Sequence, residues 1–465
     1  MYYFELMIIL SFQKVYFNWI VSWESLVFVS MLISEVTLAG KLSFKDNERP
    51  DMASKFLIWK ILNVILVLPV FVCGKPACRT RFRTEVICVA GTDDYVLQKG
   101  LVSDNNQTAA ITLKGCRITG VDSDAFKNVY SVQEIDLSQN KISALKTEVF
   151  NGMSRLSLLR LSKNLLTSLP RGLFDNLPRL QRLDLSNNKI SSLESGIFNN
   201  LPELIRLELI GNALLGKDLD PSLFDRNPKM QFLRLSGNNM SHAPDQLFNA
   251  FRELRILDLN NCSLTEIPKF VKTPNMKTLE RLSLQINKIR RLDDPSLFEK
   301  FEKLSSLDLI SNEIEYLHED VFKPLENLKV IDLSFNKIEH IQEKLFQNMP
   351  SVQSIDLSNN LIEVVPVNAF RGTRLKKLNL NTNQISYLGN NFLLELRNSA
   401  TKLSEFNFGD NPFQCACLLD ILNEVKSFGV AYNYDKYNGE HEVCVMTSQF
   451  TCMRFKAELD SIDMR

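Results

Sequence analysis

A motif with a nearly constant period constrains this 465-residue chain more than any other feature. A core of the type leucine-x-leucine is followed, three residues after its second leucine, by an asparagine or a cysteine. These residues, which we call the ladder residues, are Cys116, Asn140, Asn164, Asn188, Asn212, Asn238, Cys262, Asn287, Asn312, Asn336, Asn360, Asn383 and, in a less regular copy, Asn411. Most intervals are 24 residues, the others are 23 to 26, and the last is 28. A fixed period of this length predicts a solenoid in which each coil contacts only its neighbours.

One coil of the repeat indicates how the scaffold is built. The alternation Leu183-Asp184-Leu185 predicts a short strand with the leucines facing inward and the aspartate facing outward. Stacked coils align such strands into one parallel sheet. The amide of the ladder residue Asn188 can satisfy backbone groups that the following buried turn would otherwise leave unpaired. We therefore predict an α/β solenoid with a concave parallel sheet.

A second periodic residue supports the same architecture. A phenylalanine follows most ladder residues by ten positions, and four others lie slightly out of step. These phenylalanines are Phe126, Phe150, Phe174, Phe198, Phe224, Phe248, Phe270, Phe298, Phe322, Phe346, Phe370 and Phe392. Each one that is fully buried contributes roughly 1.5–3 kcal/mol. We expect a stacked aromatic spine beneath the convex side, which accounts for these aromatic residues without a ligand.

The nine cysteines are concentrated at the two ends of the repeats, where a solenoid needs caps over its exposed core. They are Cys73, Cys78 and Cys88, then Cys116 and Cys262 alone, then Cys415, Cys417, Cys444 and Cys452. The clusters predict disulfide-stapled caps and an oxidising compartment. Cys78 and Cys88 suit a hairpin closed by one disulfide. The four distal cysteines allow three pairings, and a zinc site that includes His441 is the disfavoured alternative.

The two isolated cysteines occupy ladder positions. A reactive or pairing thiol is one interpretation of Cys116 and Cys262, and a small buried group with a weak S–H donor is the other. We favour the buried group, since six coils separate the two residues and exclude a bond between them.

The region before the repeats has the layout of a secretory signal. Met52 to Lys55 form a short basic start, an apolar stretch covers 56–72, and small residues follow. We expect Met52 to be the true start and the signal to be cleaved, and a signal-anchor helix is the alternative. We divide the chain into an extension (1–51), a signal peptide (52–77), an N-terminal cap (78–107), leucine-rich repeats (108–410), a C-terminal cysteine-rich cap (411–455) and a tail (456–465).

The period, the phenylalanine spine and the Asn-Pro-Phe-Gln-Cys-Ala-Cys opening at 411–417 resemble the typical class of extracellular leucine-rich repeat proteins. Toll-type receptor ectodomains, Slit, chaoptin-like adhesion proteins and secreted insect immune repeat proteins share these features. The resemblance covers about residues 78–455 and implies a leucine-rich repeat horseshoe with protein recognition as its function. It also implies the pairs Cys415–Cys444 and Cys417–Cys452.

The outward strand positions are where a partner would bind. The middle outward column comprises Thr112, Asp136, Arg160, Asp184, Glu208, Arg234, Asp258, Ser283, Asp308, Asp332, Asp356, Asn379 and Asn407. It can be interpreted as an acidic track for a basic partner or as ordinary solvated strand residues, and we favour the second. Apolar residues at outward positions are more specific: Leu158, Ile210, Phe232, Ile256, Ile310 and Val330.

Three of these apolar residues fall on successive coils beside two arginines. We therefore predict a partner-binding site formed by Arg206, Ile210, Phe232, Arg234 and Ile256. Arginine and aromatic residues gathered on one face are typical of interface hot spots. Scattered surface hydrophobic residues, which are normal, are the alternative interpretation.

Other chemistry has little support in the sequence. Lysine plus arginine and aspartate plus glutamate number 54 each, which gives no net charge to attract nucleic acid. No catalytic, metal-binding or cofactor-binding residues are identified, so we expect no cofactor and no enzymatic activity. Sequons occur at Asn106, Asn239 and Asn261. We expect glycosylation at Asn106 and Asn239, and less at Asn261 because it adjoins a buried cysteine.

The sequence as a whole predicts a secreted scaffold that binds a protein ligand or receptor through its concave face. No nucleic acid and no membrane span are expected for the mature chain, and the oligomeric state stays open. Innate immunity, adhesion and ligand regulation are the candidate contexts. A structural matrix component and a type II membrane-anchored receptor ectodomain are the alternatives.

Overall fold

A computed structural model describes residues 74–82, 84–102, 107–127, 129–437, 443–447 and 451–454. The predicted extension, most of the predicted signal peptide and the predicted tail lie outside these residues. Those boundaries therefore stay predictions.

One long sheet runs through the described part of the chain. Its fifteen strands, in spatial order, are β1 (Ala77–Arg81), β2 (Glu85–Val89), β4 (Ala110–Thr112), β6 (Glu134–Asp136), β7 (Leu158–Arg160), β8 (Arg182–Asp184), β9 (Arg206–Glu208), β10 (Phe232–Arg234), β11 (Ile256–Asp258), β12 (Arg281–Ser283), β14 (Ser306–Asp308), β16 (Val330–Asp332), β17 (Ser354–Asp356), β18 (Lys377–Asn379) and β19 (Glu405–Asn407). The first pair is antiparallel, and the later pairs are parallel. This topology confirms the predicted solenoid with a parallel sheet.

Shorter elements form the other sides of the coils. Two small parallel sheets pair β3 (Tyr95–Leu97) with β5 (Ile118–Val121) and β13 (Arg291–Leu292) with β15 (Tyr316–Leu317). Turns of 3₁₀ helix span Thr147–Phe150, Gly216–Asp218, Lys269–Val271, Pro274–Thr278, Val367–Phe370 and Tyr434–Tyr437. Two α-helices lie near the C-terminal end, α1 (Phe392–Asn398) and α2 (Cys415–Phe428).

The ladder asparagines tie each coil to the coil before it. Asn164 is typical: its Nδ2 donates to the Leu137 carbonyl of the preceding coil at 2.9 Å and to the Leu161 carbonyl of its own coil at 3.0 Å. Its Oδ1 accepts from the Ile142 backbone N–H at 3.0 Å. The side chain is buried, so these bonds satisfy backbone groups that water does not reach.

Cysteine in a ladder position keeps part of this arrangement. The Cys262 sulfur lies 3.4 Å from the Leu235 carbonyl oxygen, where an asparagine would place its amide nitrogen. Cysteine has no amide oxygen, and the Met240 N–H donates to the Cys262 backbone carbonyl at 3.0 Å instead. Burial raises the pKa of the Cys116 thiol to about 11 and that of the Cys262 thiol to about 12. Both thiols are unpaired and buried, as the favoured interpretation expected.

The predicted phenylalanine spine is buried in the described structure. The rings of Phe322 and Phe346 stack with centroids 5.8 Å apart and planes 4° apart, and Phe370 continues the stack at 5.7 Å. The stack changes geometry near β11, where Phe248 and Phe270 meet edge to face at 80°. The spine thus fills the core along the solenoid as expected, with a local change where consecutive 3₁₀ turns replace the regular convex turn.

Both ends of the sheet carry caps closed by disulfides. The β1–β2 hairpin pairs Cys78 with Cys88 and extends the sheet beyond the first repeat strand. At the other end the structure contains Cys415–Cys444 and Cys417–Cys452, the pairs that the family resemblance implies. The aromatic rings of Phe408, Phe413, Tyr432 and Tyr437 pack together over the last coil. The predicted disulfide-stapled caps are confirmed.

Candidate protein-binding face

The outward side of the long sheet, which we call the concave face, is organised in aligned columns. The strand register places Asp136, Arg160 and Asp184 beside one another, and the same alignment continues through Asn407. The central residue of each repeat strand points into the core and is buried, whereas its two neighbours reach the concave face. The middle outward column predicted from the sequence is therefore one continuous row in space.

Arginines pair with two of the acidic residues in the first half of this row, Asp136 and Glu208. Arg160 lies 3.9 Å from Asp136. Glu208 contacts two guanidinium groups, since its Oε1 lies 2.6 Å from Arg206 Nε and 3.7 Å from Arg234 Nη1. The Glu208 side chain is only 20% exposed, so this carboxylate sits between the arginines rather than in open solvent.

Four of the five residues of the predicted binding site lie beside one another on β9, β10 and β11. Phe232 pairs in register with Arg206 on one side and with Ile256 on the other. The Arg206 guanidinium lies 5.5 Å from the centre of the Phe232 ring. Ile210 lies two residues after the end of β9 and is partly buried. We call these residues the central patch: Arg206, Ile210, Phe232, Arg234 and Ile256.

The geometry of the central patch restrains its long side chains. Glu208 orients both arginines, and the ring of Phe232 covers one guanidinium. Arginine placed against an aromatic face and a carboxylate loses fewer conformations on binding than a free side chain, so less binding energy is spent on ordering it. The patch offers partly exposed apolar surface with oriented donors, which is chemistry suited to a protein surface.

The structure differs from the sequence analysis at one of the outward apolar residues. Leu158 was expected at the surface, but it is only 6% exposed. Its neighbours in register are Glu134 and Arg182, and the aliphatic stems of such long side chains can cover an apolar residue that lies between them. Val330, in the same column, is 42% exposed and agrees with the expectation.

The sequons lie at different places. Asn106 falls outside the described residues. Asn239 is exposed, and its Oδ1 accepts from the Ser241 backbone N–H at 3.1 Å and from the Ser241 hydroxyl. Asn261 is also exposed, and Cys262 beside it is buried, as expected. Glycosylation at Asn106 and Asn239 stays a prediction.

One row on this side of the molecule has no counterpart in the sequence predictions. The residue immediately before each ladder residue has a positive φ, between 50° and 72°. These residues are Gly115, Gln139, Lys163, Asn187, Gly211, Gly237, Asn261, Ile286, Ser311, Phe335, Asn359, Thr382 and Asp410. The recurrent glycine and asparagine were the available signal, because these residues tolerate left-handed backbone. Ile286 and Phe335 do not fit that preference, and they are 57% and 56% exposed.

In the part of the chain that the structure describes, no group of three or more histidine, cysteine, aspartate or glutamate side chains is arranged to hold a metal ion. Within those residues, no helix has both the length and the apolar character needed to cross a bilayer.

Solved structures share this architecture. The leucine-rich repeat domain of APL1 has a TM-score of 0.51 at 23% identity, covering 77% of this chain and 90% of that one. The LRIM1/APL1C complex has a TM-score of 0.52 at 21% identity, covering 81% of this chain and 67% of that one. The Toll–Spatzle complex from Drosophila has a TM-score of 0.50 at 21% identity, covering 74% of this chain and 52% of that one. At these identities the likeness shows the fold.

Family models identify the repeats themselves. A search of curated proteins found no match to the chain. The leucine-rich repeat model matches at 107–166, 154–214, 277–338 and 326–385, and a second leucine-rich repeat model matches at 253–273. Together these segments cover about half of the sequence and coincide with the ladder and the parallel sheet. The chain belongs to the leucine-rich repeat family.

Proposed function

We propose that this protein is an extracellular scaffold that binds a protein ligand or receptor through the central patch of its concave face. The observation that carries the proposal is the adjacency of Phe232 and Ile256 with Arg206 and Arg234, both of which Glu208 orients. Aromatic and arginine side chains in such a cluster contribute most of the energy in many interfaces.

Binding is the role that the fold supports best. The leucine-rich repeat solenoid is a protein-interaction scaffold, and the solved structures similar to it include the complexes of LRIM1 with APL1C and of Toll with Spatzle. Binding, rather than catalysis, is accordingly the activity we assign. A context of innate immunity, adhesion or ligand regulation belongs to the proposal.

The caps support an extracellular location. Three disulfides close the two ends of the solenoid, and such bonds persist in oxidising compartments such as the secretory pathway. The signal-like segment at 52–72 supports secretion. Glycosylation at Asn106 and Asn239 is part of the same proposal.

The test compares capture by wild type with capture by the double variant Phe232→Ala, Arg234→Ala. Each protein is immobilised and exposed to extracellular fluid, and the bound proteins are quantified by mass spectrometry. We expect a discrete stoichiometric partner on wild type and at least roughly tenfold weaker binding to the variant. The melting temperature should hardly change, because both side chains lie on the surface.

A matched control removes two side chains from the same face outside the patch. Glu134→Ala with Arg160→Ala should leave capture unchanged. Equal capture by wild type and by the Phe232→Ala, Arg234→Ala variant would remove the central patch from the proposal. Retention of every variant in insoluble matrix, with no stoichiometric partner, would favour a structural matrix role.

A further inference from the structure

The concave face changes character beyond β12. Asp308, Asp332 and Asp356 are adjacent in register on β14, β16 and β17. In contrast to Asp136 and Glu208, none of the three forms an ion pair within the described residues. This part of the row therefore keeps its negative charge.

The hydrogen bonds to these carboxylates come from neutral groups. Asp332 Oδ1 accepts from the Ser334 N–H at 3.0 Å and from its hydroxyl at 2.7 Å. Asp356 Oδ2 accepts from Asn379 Nδ2 at 2.8 Å, and Asp308 accepts from the Ile310 N–H at 3.2 Å. Neutral donors fix the direction of each carboxylate but leave its charge. Burial, with the neighbouring Asp356 and Asp308 charges, raises the pKa of Asp332.

Exposed apolar side chains border the three aspartates. Val330 lies on β16 two residues before Asp332 and is 42% exposed. Phe335 lies on the opposite side, three residues after Asp332, with a 56% exposed side chain. Its ring pairs with no other ring and with no cation in the described part of the chain. Ile286, 57% exposed, occupies the equivalent position two coils earlier.

Phe335 and Ile286 occupy their positions at a cost in stability. Their φ angles are 57° and 55°, a left-handed conformation that bulky and β-branched residues rarely adopt. Asn187, Asn261 and Asn359 show that asparagine fits the same position. A large apolar side chain there stabilises neither the backbone nor the core, which points to a contact with something outside the chain.

We propose that Asp308, Asp332, Asp356, Val330, Phe335 and Ile286 form a second docking surface, the C-terminal patch, for a basic amphipathic helix of a partner protein. Charge complementarity favours a positively charged partner segment, because three carboxylates without ion pairs lie side by side. The apolar borders on both sides favour a partner segment with apolar residues beside its basic stripe.

The spacing of the aspartates favours a helix over an extended segment. Adjacent strands are about 4.8 Å apart, so successive carboxylates repeat at about that distance. Side chains three or four residues apart on a helix are separated by about 5–6 Å. Residues on one side of an extended chain repeat at about 6.6 Å, which differs more from the spacing of the carboxylates than the helical distance does.

This proposal rests on the proposed function only in taking a protein as the ligand. The C-terminal patch shares no residue with the central patch. Val330 is four strands away from Phe232, which is about 19 Å along the sheet. One partner can span both patches, but the two can be tested separately.

The probe is a synthetic helical peptide of about 15 residues, long enough to form a helix in contact with the protein. It carries lysines in one helical stripe flanked by leucines, and its binding to the full chain is followed by fluorescence anisotropy. Asp332→Asn with Asp356→Asn should weaken binding roughly tenfold. Asp136→Asn with Asp184→Asn, the same change elsewhere in the row, should leave it unchanged, as should Phe232→Ala with Arg234→Ala.

Phe335→Asn separates a binding role from a structural role. We expect this variant to melt at a higher temperature than wild type and to bind the probe several-fold more weakly, because it relieves the backbone and removes the apolar contact. Unchanged binding of the probe to Phe335→Asn would overturn the apolar part of the surface, whatever happens to the melting temperature.

Three further outcomes would overturn the proposal. The first is equal loss of binding in the Asp136→Asn, Asp184→Asn control, which would indicate general attraction to a negative molecule. The second is displacement of the probe by Ca²⁺ at constant ionic strength together with loss of Ca²⁺ binding in the Asp332→Asn, Asp356→Asn variant. That result would make the row a cation site. A peptide of the same composition with its lysines scrambled must bind more weakly, since equal affinity would contradict the helix.

Discussion

The two patches on the concave face share one backbone but differ in how their charges are balanced. On β9 and β10, Glu208 lies between Arg206 and Arg234, and Arg206 also covers Phe232. On β16 and β17, Asp332 and Asp356 accept only neutral hydrogen bonds. The carboxylate beside the central patch is paired within the chain, whereas the carboxylates of the C-terminal patch keep their charge for a partner.

The difference shows how a repeat separates scaffold from recognition. The inward leucines, the ladder residues and the spine are nearly the same in both regions, so they give both regions the same strand geometry. The outward side chains differ without disturbing that geometry, because no other layer of the described residues packs on the concave face. Recognition can therefore vary from coil to coil at little cost in stability.

The largest expected effect tests whether the scaffold is equivalent in the two regions. Asn164→Ala and Asn336→Ala each remove donors to two buried carbonyls and the acceptor for a buried N–H. Each should lower the free energy of unfolding by about 3 kcal/mol, measured by urea denaturation. Cys262→Ala, which removes only a weak S–H donor, should cost about 1 kcal/mol. A large difference between the two asparagine variants would show that the regions are not equivalent.

A smaller effect is expected from exchanging residues in the left-handed row. Ile286→Asn should raise the free energy of unfolding by about 1 kcal/mol, and Asn187→Ile should lower it by about 1–2 kcal/mol, because β-branched side chains disfavour positive φ. Thermal unfolding measures the change in stability of each variant relative to wild type. If Ile286→Asn lowers the stability instead, the isoleucine stabilises the fold, and the argument that it is kept for an external contact is wrong.

The smallest effect contrasts two aspartates of the same row. The raised pKa of Asp332 means that folding disfavours its charged form, so this group destabilises the fold as pH rises above its ordinary value of 3.8. Asp332→Asn should therefore raise the free energy of unfolding at pH 7, by at most about 0.5 kcal/mol because solvent screens this partly exposed carboxylate, and should change it little at pH 3. Asp136→Asn removes an ion pair with Arg160 and should cost at most about 0.5 kcal/mol. Denaturant unfolding at pH 3 and pH 7 shows whether each variant raises or lowers the free energy of unfolding. If both variants are more stable than wild type, the expected difference between Asp332 and Asp136 is wrong.

Much of the scaffold could be predicted because it depends on residue spacing. A ladder asparagine or a spine phenylalanine occupies the same place in every coil, so its environment repeats with the period. The turn before each ladder residue was missed although Gly211, Gly237 and Asn187 precede ladder residues. The conformation becomes evident only from φ, and Ile286 and Phe335 hide the glycine and asparagine preference.

The sites were harder to predict because they depend on contacts between coils. The sequence placed Phe232 and Ile256 on successive coils, and the register confirms that they are adjacent. It did not indicate that Leu158 would be covered by its neighbours, or that the Met240 N–H would bind the Cys262 carbonyl. Each of these depends on the side chain or backbone of another coil.

The sequence by itself determined the leucine-rich repeat solenoid, its caps and the column of outward residues, because inward and outward positions follow directly from the period. Only the tertiary structure decided which outward charges are neutralised. Glu208 and Arg234 meet because their strands are neighbours, and Asp308, Asp332 and Asp356 lack such a partner because their neighbours in the row are serine, asparagine or one another. The Glu208–Arg234 and Asp136–Arg160 pairs join adjacent coils, and a pattern within one coil does not specify them.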